Sequence, residues 1–329
     1  MNTKTMKWLL QREFWEYKGS MFWAPLLVAG LLVVLMGGGL LYGLAQHFPS
    51  HLTVGGYTIQ AGGKTVHVAL AVQKRIATIA SGTYLGAAAP LFGLLAVVVF
   101  SYCLGTLHDE RRDRSILFWK SLPVSDSMTV LSKAATAMVV APLITIVLGT
   151  VCSLILLLVL CLAFSLNGVN MFGLVLASPD LYLSPLRLLA LLPVYVVWAL
   201  PTVGWLMLVS SWARSKPILW AVGVPLVGLL IVKWATLATD NLSGEPSNLM
   251  HYASDAVARI LTGVVPGIWY SFAGGAPAAL RAGDNGFDAG SVVTSSYATL
   301  GTADAWIGVA IGAAMLYAAM RLRRYRDEG

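Results

Sequence analysis

Three long stretches of this chain carry no formal charge. Asp, Glu, Lys and Arg are absent between Lys18 and Lys64, between Arg75 and Asp109, and between Lys133 and Asp180. A helix crosses the hydrocarbon core of a bilayer with about 20 apolar residues. Each stretch contains such a run, at about 22–45, 84–107 and 134–162. Three more runs follow at about 188–211, 217–237 and 303–322. Composition agrees: 57% of the residues are hydrophobic and 11% charged, with a mean hydropathy of +0.75. A water-facing domain carries roughly 25% charged residues, so a soluble globular fold is excluded. The expected fold is an all-α membrane protein of six transmembrane helices, forming a single domain over 1–329.

Six spans put both termini on one side. Fifteen of the 22 Lys and Arg residues fall on the side that holds the termini. Basic residues accumulate on the cytoplasmic side, so both termini are expected there. The same bias accounts for the net charge of +7 without any nucleic-acid partner. The first run is too long for a cleaved signal peptide and is expected to be retained.

Outside the spans, residues 4–18 read as an amphipathic interfacial helix. Met6, Leu10, Phe14 and Tyr17 share one face by their 4, 4, 3 spacing, with Lys4, Lys7, Gln11 and Lys18 beside it. The loop after the first span brackets β-prone residues with two Gly-Gly pairs, which predicts a small outer hairpin followed by a helix over about 69–80. The region 239–302 predicts a helix at 247–261 and short re-entrant outer helices before the sixth span. Trp269, Tyr270 and Phe272 fit an interfacial belt there.

Candidate chemistry is sparse. "GGKT" at 62–65 lacks the earlier glycine of a phosphate loop, because Thr58 stands there, and reads as a turn. No metal spacing emerges: His47 and His51 are separated by Pro49, and Cys103, Cys152 and Cys161 lie in apolar runs as small buried hydrophobes. Lys233 is the one candidate intramembrane charge, since Asp304 and Arg321 stand at the very ends of the sixth run, and it sits near an end beside Trp234. The near-absence of intramembrane charge disfavours an ion-driven carrier or an intramembrane enzyme. The prolines at 90, 142, 193, 201 and 225 fall in spans and serve as kink positions.

The densest charge cluster is "LHDERRDRSILFWKSLPVSD", residues 107–126. It joins spans two and three, so 108–128 is a cytoplasmic loop. Glu110 and Arg114 stand at i, i+4 in the favoured order, which continues span two as a helix. Ser115 caps a short helix that Pro123 ends, and Ser125 or Asp126 caps the third span. Ile116, Leu117, Phe118 and Trp119 are thereby presented beyond the membrane. From the residues alone they form either a protein-binding patch or a loop lying in the headgroups.

The run from Asp109 to Lys133 resembles the first cytoplasmic loop of the permease subunits of type-2 ATP-binding-cassette exporters. Glu110, Leu117, Phe118, Ser121, Leu122, Pro123 and Lys133 occupy that family's motif places. Arg114-Ser115 stands where the family often has Gly-Thr. The absence of Glu-Ala-Ala before Leu122-Pro123 separates it from the importer branch. The resemblance implies a non-enzymatic, membrane-spanning subunit of an exporter in the bacterial inner (plasma) membrane, with no cofactor of its own. Two copies of a separate ATPase subunit would bind ATP and Mg. They would dock on Glu110, Arg111, Arg112, Arg114, Ile116, Leu117, Phe118, Trp119, Ser121, Leu122 and Pro123. A second permease, identical or homologous, would complete a pathway lined by spans two and five. A scaffold or sensor that binds a non-ATPase cytoplasmic partner is the alternative.

Overall fold

Backbone N–H and C=O groups find no water in hydrocarbon, so a spanning chain must satisfy them within helices. The computed structural model of the chain describes residues 3–46, 51–54, 57–60, 70–113, 125–167, 169–243, 248–272 and 289–325. These are almost wholly helical. Helix α1 (Thr3–Glu16) leads into α2 (Gly19–Gly43). Strands β1 (His51–Val54) and β2 (Tyr57–Gln60) pair antiparallel, with Val54 opposite Tyr57. Helix α3 (Leu70–Thr83) leads through a tight turn into α4 (Ala89–Arg112). After the loop come α5 (Asp126–Leu166), α6 (Phe172–Leu176), α7 (Pro179–Ala190) and α8 (Leu192–Trp212). Helices α9 (Pro217–Ser243), α10 (Leu249–Thr262), α11 (Trp269–Phe272), α12 (Ala289–Ala298) and α13 (Ala303–Tyr325) complete the chain.

Among the described residues six helical stretches are long and apolar enough to cross a membrane: Gly19–Gly43, Ile76–Arg112, Asp126–Leu166, Pro179–Trp212, Pro217–Ala238 and Ala303–Tyr325. They lie over the six expected runs and extend beyond most of them, because helical hydrogen bonding continues past the apolar core. Among the described residues three widened turns interrupt them, at Gly19–Trp23, Val33–Gly37 and Thr136–Val140, and the first and third precede a proline. The Ala24 N–H reaches back to Gly19 O ahead of Pro25, and the Ala141 N–H reaches Thr136 O ahead of Pro142. Proline has no N–H to donate and its ring crowds the preceding turn, so the ladder slips by one residue there.

The core is organised around α8. Trp198, Ala199, Val203, Leu206 and Met207 are fully buried between α4 and α13. Helices α8 and α13 touch backbone to backbone. A Cβ placed at Gly204 would stand 2.6 Å from Gly312 O, and one at Gly312 would stand 2.8 Å from Leu200 O. With no hydrophobic drive between helices in lipid, small residues that permit such approach supply the contact. The first and fifth spans are peripheral. Only 17% and 6% of their hydrophobic windows are buried, against 50% for the second. Their Leu31, Val34, Leu219, Leu230 and Ile231 side chains face outward.

Candidate functional site

The loop 114–124 lies outside the described residues, and so do Arg114, Ile116, Leu117, Phe118, Trp119, Ser121, Leu122 and Pro123. Its two roots are well defined. On the far side, Ser125 takes an extended backbone and caps α5, accepting the Met128 N–H at 3.3 Å. Asp126 in the first turn complements the positive end of the helix dipole. The cap left open between Ser125 and Asp126 thus falls to Ser125.

On the near side, α4 ends in Glu110-Arg111-Arg112, and the first of these turns inward. Glu110 is 4% exposed and joins a buried ion network. Lys133 Nζ is at its centre, 2.9 Å from Glu13 Oε1, 3.0 Å from Glu110 Oε1 and 2.8 Å from Thr106 Oγ1. The ammonium donates to Glu13 and Thr106 and pairs by charge with Glu110. Lys133 and Glu13 are both fully buried. The second Glu13 oxygen accepts from Tyr102 Oη at 2.8 Å. The second Glu110 oxygen accepts from Arg323 Nη1 at 2.6 Å, and Arg323 Nε donates to Asp126 Oδ1 at 3.2 Å. Arg12 closes the set, 3.6 Å from Glu110 and 3.1 Å from Glu16. Glu13, Glu16, Glu110 and Asp126 thus face Lys133, Arg323 and Arg12.

Burying an ion costs several kcal/mol unless a partner and further hydrogen bonds offset it. Here every buried ion has a charged partner and most of its polar atoms a hydrogen bond, and the consequence is geometric. Helices α1, α4, α5 and α13 are tied at one point, directly beneath the two roots of the loop. Helix α8 is joined to the same end. Arg111 Nη2 donates to Ser210 O at 2.6 Å and Ala213 O at 2.9 Å, while Ser210 Oγ donates to Leu104 O at 2.7 Å. Tyr17 packs edge-on against Tyr102, ring centroids 4.7 Å apart. Burial pushes its phenol above the ordinary range, so it remains protonated.

Of the residues that sequence reasoning assigns to partner docking, Glu110 and Arg111 face the bundle instead. Arg112 is exposed and pairs with Asp109 and Asp113. Glu110's described partners are Lys133, Arg323 and Arg12; Arg114 lies outside the described residues. Along α1, Met6, Leu10, Phe14 and Tyr17 are half-buried, while Leu9 and Glu13 are buried. Sequence reasoning missed Glu13, Tyr102, Thr106, Lys133 and Arg323 as one group. One signal was available: Glu13 falls within the same helical arc as Met6 and Tyr17, and an acid on an apolar face needs a cation.

A second cluster occupies the opposite end. The Arg259 guanidinium lies over the Trp198 ring at 4.4 Å and donates to the Asp304 and Ala305 carbonyls at the start of α13. Gly308 leaves room for it, since a Cβ there would overlap the guanidinium. Thr202 Oγ1 donates to Arg259 O at 2.8 Å and accepts the Gly263 N–H at 3.0 Å. Helix α10 is thereby latched to α8 and α13. Arg259→Ala removes charge-assisted hydrogen bonds worth about 1.5–3 kcal/mol each. Hydrogen exchange across 249–262 is expected to quicken by at least about tenfold; unchanged exchange would refute the latch. Below this cluster lies an apolar groove of about 540 Å³ between α4, the start of α9, and the end of α10 with the segment after it. Phe100, Leu104, Ile218, Leu261 and Val265 line it, with the Ser101 and Thr262 hydroxyls and no charged side chain.

The fold and this paired-ion end define a multi-pass membrane protein. No protein-family model, curated protein or solved structure matches the chain. Among the described residues no group of three His, Cys, Asp or Glu side chains is placed to hold a metal. His47 and His67 lie outside the described residues.

Proposed function

We propose that the chain is the membrane-spanning subunit of an ATP-driven exporter, coupled to a separate ATPase through the loop 114–124. The observation that carries this reading is the ion network at the roots of that loop. A loop that only connected two spans would need no buried tie to the first and last helices. Here Lys133 and Glu110 join α4 and α5 to α1 and α13. A push on the loop therefore reaches four helices as one body, which is what rigid-element coupling requires.

On this reading the network end is cytoplasmic and the Arg259 end is outside, together with the β1–β2 pair. Helix α10 is re-entrant. The Thr202–Gly263 hydrogen bond supports this, because Thr202 lies ten residues into α8, about 15 Å along the helix axis. Gly267, at a φ of +86°, lets the chain turn back after that descent. The pathway runs between two permease copies, past the apolar groove that spans two and five border. The bare outer face of the fifth span supports a second copy there. Two ATPase subunits hold ATP and Mg, and this chain positions them.

The test is purification of the tagged protein from its host membranes with its nucleotide-hydrolysing partner. Scrambling 114–122 leaves the network residues in place. It is expected to abolish co-purification of the ATPase and transport-linked hydrolysis while leaving the permease monodisperse. A complex that assembles and hydrolyses normally with the scrambled loop sinks the proposal. Recovery of a stoichiometric partner that lacks a nucleotide site would favour the scaffold reading.

A further inference from the structure

We propose that a second apolar groove, at the end of the bundle away from the ion network, holds one acyl chain of a phospholipid, and that its rim selects a headgroup carrying an ammonium. The groove measures about 370 Å³, within the roughly 300–1,000 Å³ of small-molecule sites. Three elements form it: the end of α3 with the turn into α4, the second half of α7 with Leu191, and α12. Leu85, Phe92, Leu188, Leu191, Val292 and Val293 make its wall apolar. The two hydroxyls that border it donate within their own helices, Thr83 Oγ1 to Ile79 O at 2.8 Å and Ser184 Oγ to Asp180 O at 2.6 Å. Neither offers an O–H to a ligand. On the side of the turn the groove is open: Gly86 and Ala89 are exposed, and a Cβ at Gly82 or Gly86 would meet no packed atom within 4 Å.

Depth in the bilayer follows from α8. That helix has 21 residues, about 30 Å of rise, which matches the hydrocarbon thickness. Arg187, ahead of its first residue Leu192, therefore stands at headgroup level. The groove beside it is bordered by the second and fourth spanning stretches, so it opens to acyl chains. Its rim carries a pair of opposite charges. Among the described residues Arg187 is the one charged side chain that lines the groove, and its Nη1 donates to Asp180 Oδ1 at 2.9 Å. The two side chains are 28% and 34% exposed, so each keeps a wet face. A guanidinium has five donors and this pair uses one, while the carboxylate keeps a second oxygen. A lipid phosphate takes donors that remain on Arg187, and an ammonium takes the acceptors that remain on Asp180. A neutral pair thus meets a neutral zwitterion. Phosphatidylglycerol would set a second negative charge beside Asp180, and a choline headgroup brings no N–H to the carboxylate. Phosphatidylethanolamine satisfies both partners. This inference stands apart from the exporter reading.

The test uses the full-length protein in mixed micelles of equimolar phosphatidylethanolamine, phosphatidylcholine and phosphatidylglycerol, with retained lipids counted by native mass spectrometry. The wild type is expected to retain phosphatidylethanolamine preferentially. Arg187→Gln is expected to lower the retained amount at least about fivefold. Gly86→Leu, whose Cβ meets no packed neighbour, is expected to do the same by occupying the groove. Asp180→Asn is expected to shift the retained lipid toward phosphatidylglycerol, a change of identity that altered folding would not produce. Gly93→Leu, at an equally open glycine of α4 outside the groove, is expected to change nothing. Equal retention of the three lipids by the wild type overturns the proposal. So does wild-type retention in Arg187→Gln, an unchanged preference in Asp180→Asn, or a loss in Gly93→Leu equal to that in Gly86→Leu.

Discussion

Lys133→Met is expected to destabilise the protein by about 3–5 kcal/mol, the cost of breaking a buried ion pair by removing one partner. The reason lies in what remains. Glu13 loses the cation at 2.9 Å and Glu110 the one at 3.0 Å, and neither carboxylate can reach bulk water. Glu110 keeps Arg323 at 2.6 Å, but Glu13 is left with Arg12 at 3.8 Å and must take up a proton or drag water into the bundle. The measurement is thermal unfolding of the purified protein in detergent, with hydrogen exchange at the ends of α4 and α5. Adding Glu13→Gln to Lys133→Met removes one orphaned charge and is expected to restore part of the loss, a non-additivity that identifies direct contact. A single variant as stable as the wild type would show that the network bears no weight.

Gly204→Leu is expected to prevent α8 and α13 from packing at all. Overpacking a core ordinarily costs about 1–3 kcal/mol because neighbouring side chains can shift. At this crossing the obstacle is the Gly312 carbonyl, 2.6 Å from the would-be Cβ, and a backbone group cannot swing aside. The helices must separate, and the layer around Trp198, Val203 and Leu206 opens with them. The expected readout is loss of the monodisperse species on size exclusion, with Gly204→Ala intermediate. If Gly204→Leu runs and melts as the wild type does, the close crossing is refuted.

Some of this was legible in the sequence for a plain physical reason. Spans follow from uncharged runs, and the Ser125 cap follows from local chemistry around one helix start. The ion network was not legible, because its partners are far apart along the chain. Tyr102 and Glu13 are separated by 89 positions, Lys133 and Glu13 by 120, and Glu110 and Arg323 by 213. Each charge alone reads as a marker of topology. Lys133 stands just before an uncharged run and looks like a boundary residue, yet it is fully buried. Helix α1 illustrates the second limit. A 4, 4, 3 spacing finds the apolar stripe of Met6, Leu10, Phe14 and Tyr17, but spacing does not say whether protein or lipid covers it. The fold half-buries those four and leaves Trp8 and Trp15 outside.

The order in which the network's members are synthesised has a consequence for biogenesis. Glu13 emerges from the ribosome first, Glu110 and Lys133 next, and Arg323 last. Until the sixth span inserts, Glu110 and Asp126 lack the guanidinium that bridges them. The charge balance of this site therefore closes only when translation of the final span is complete. A nascent chain stalled before that point keeps a polar flaw at the membrane surface, visible to the machinery that removes unfinished membrane proteins.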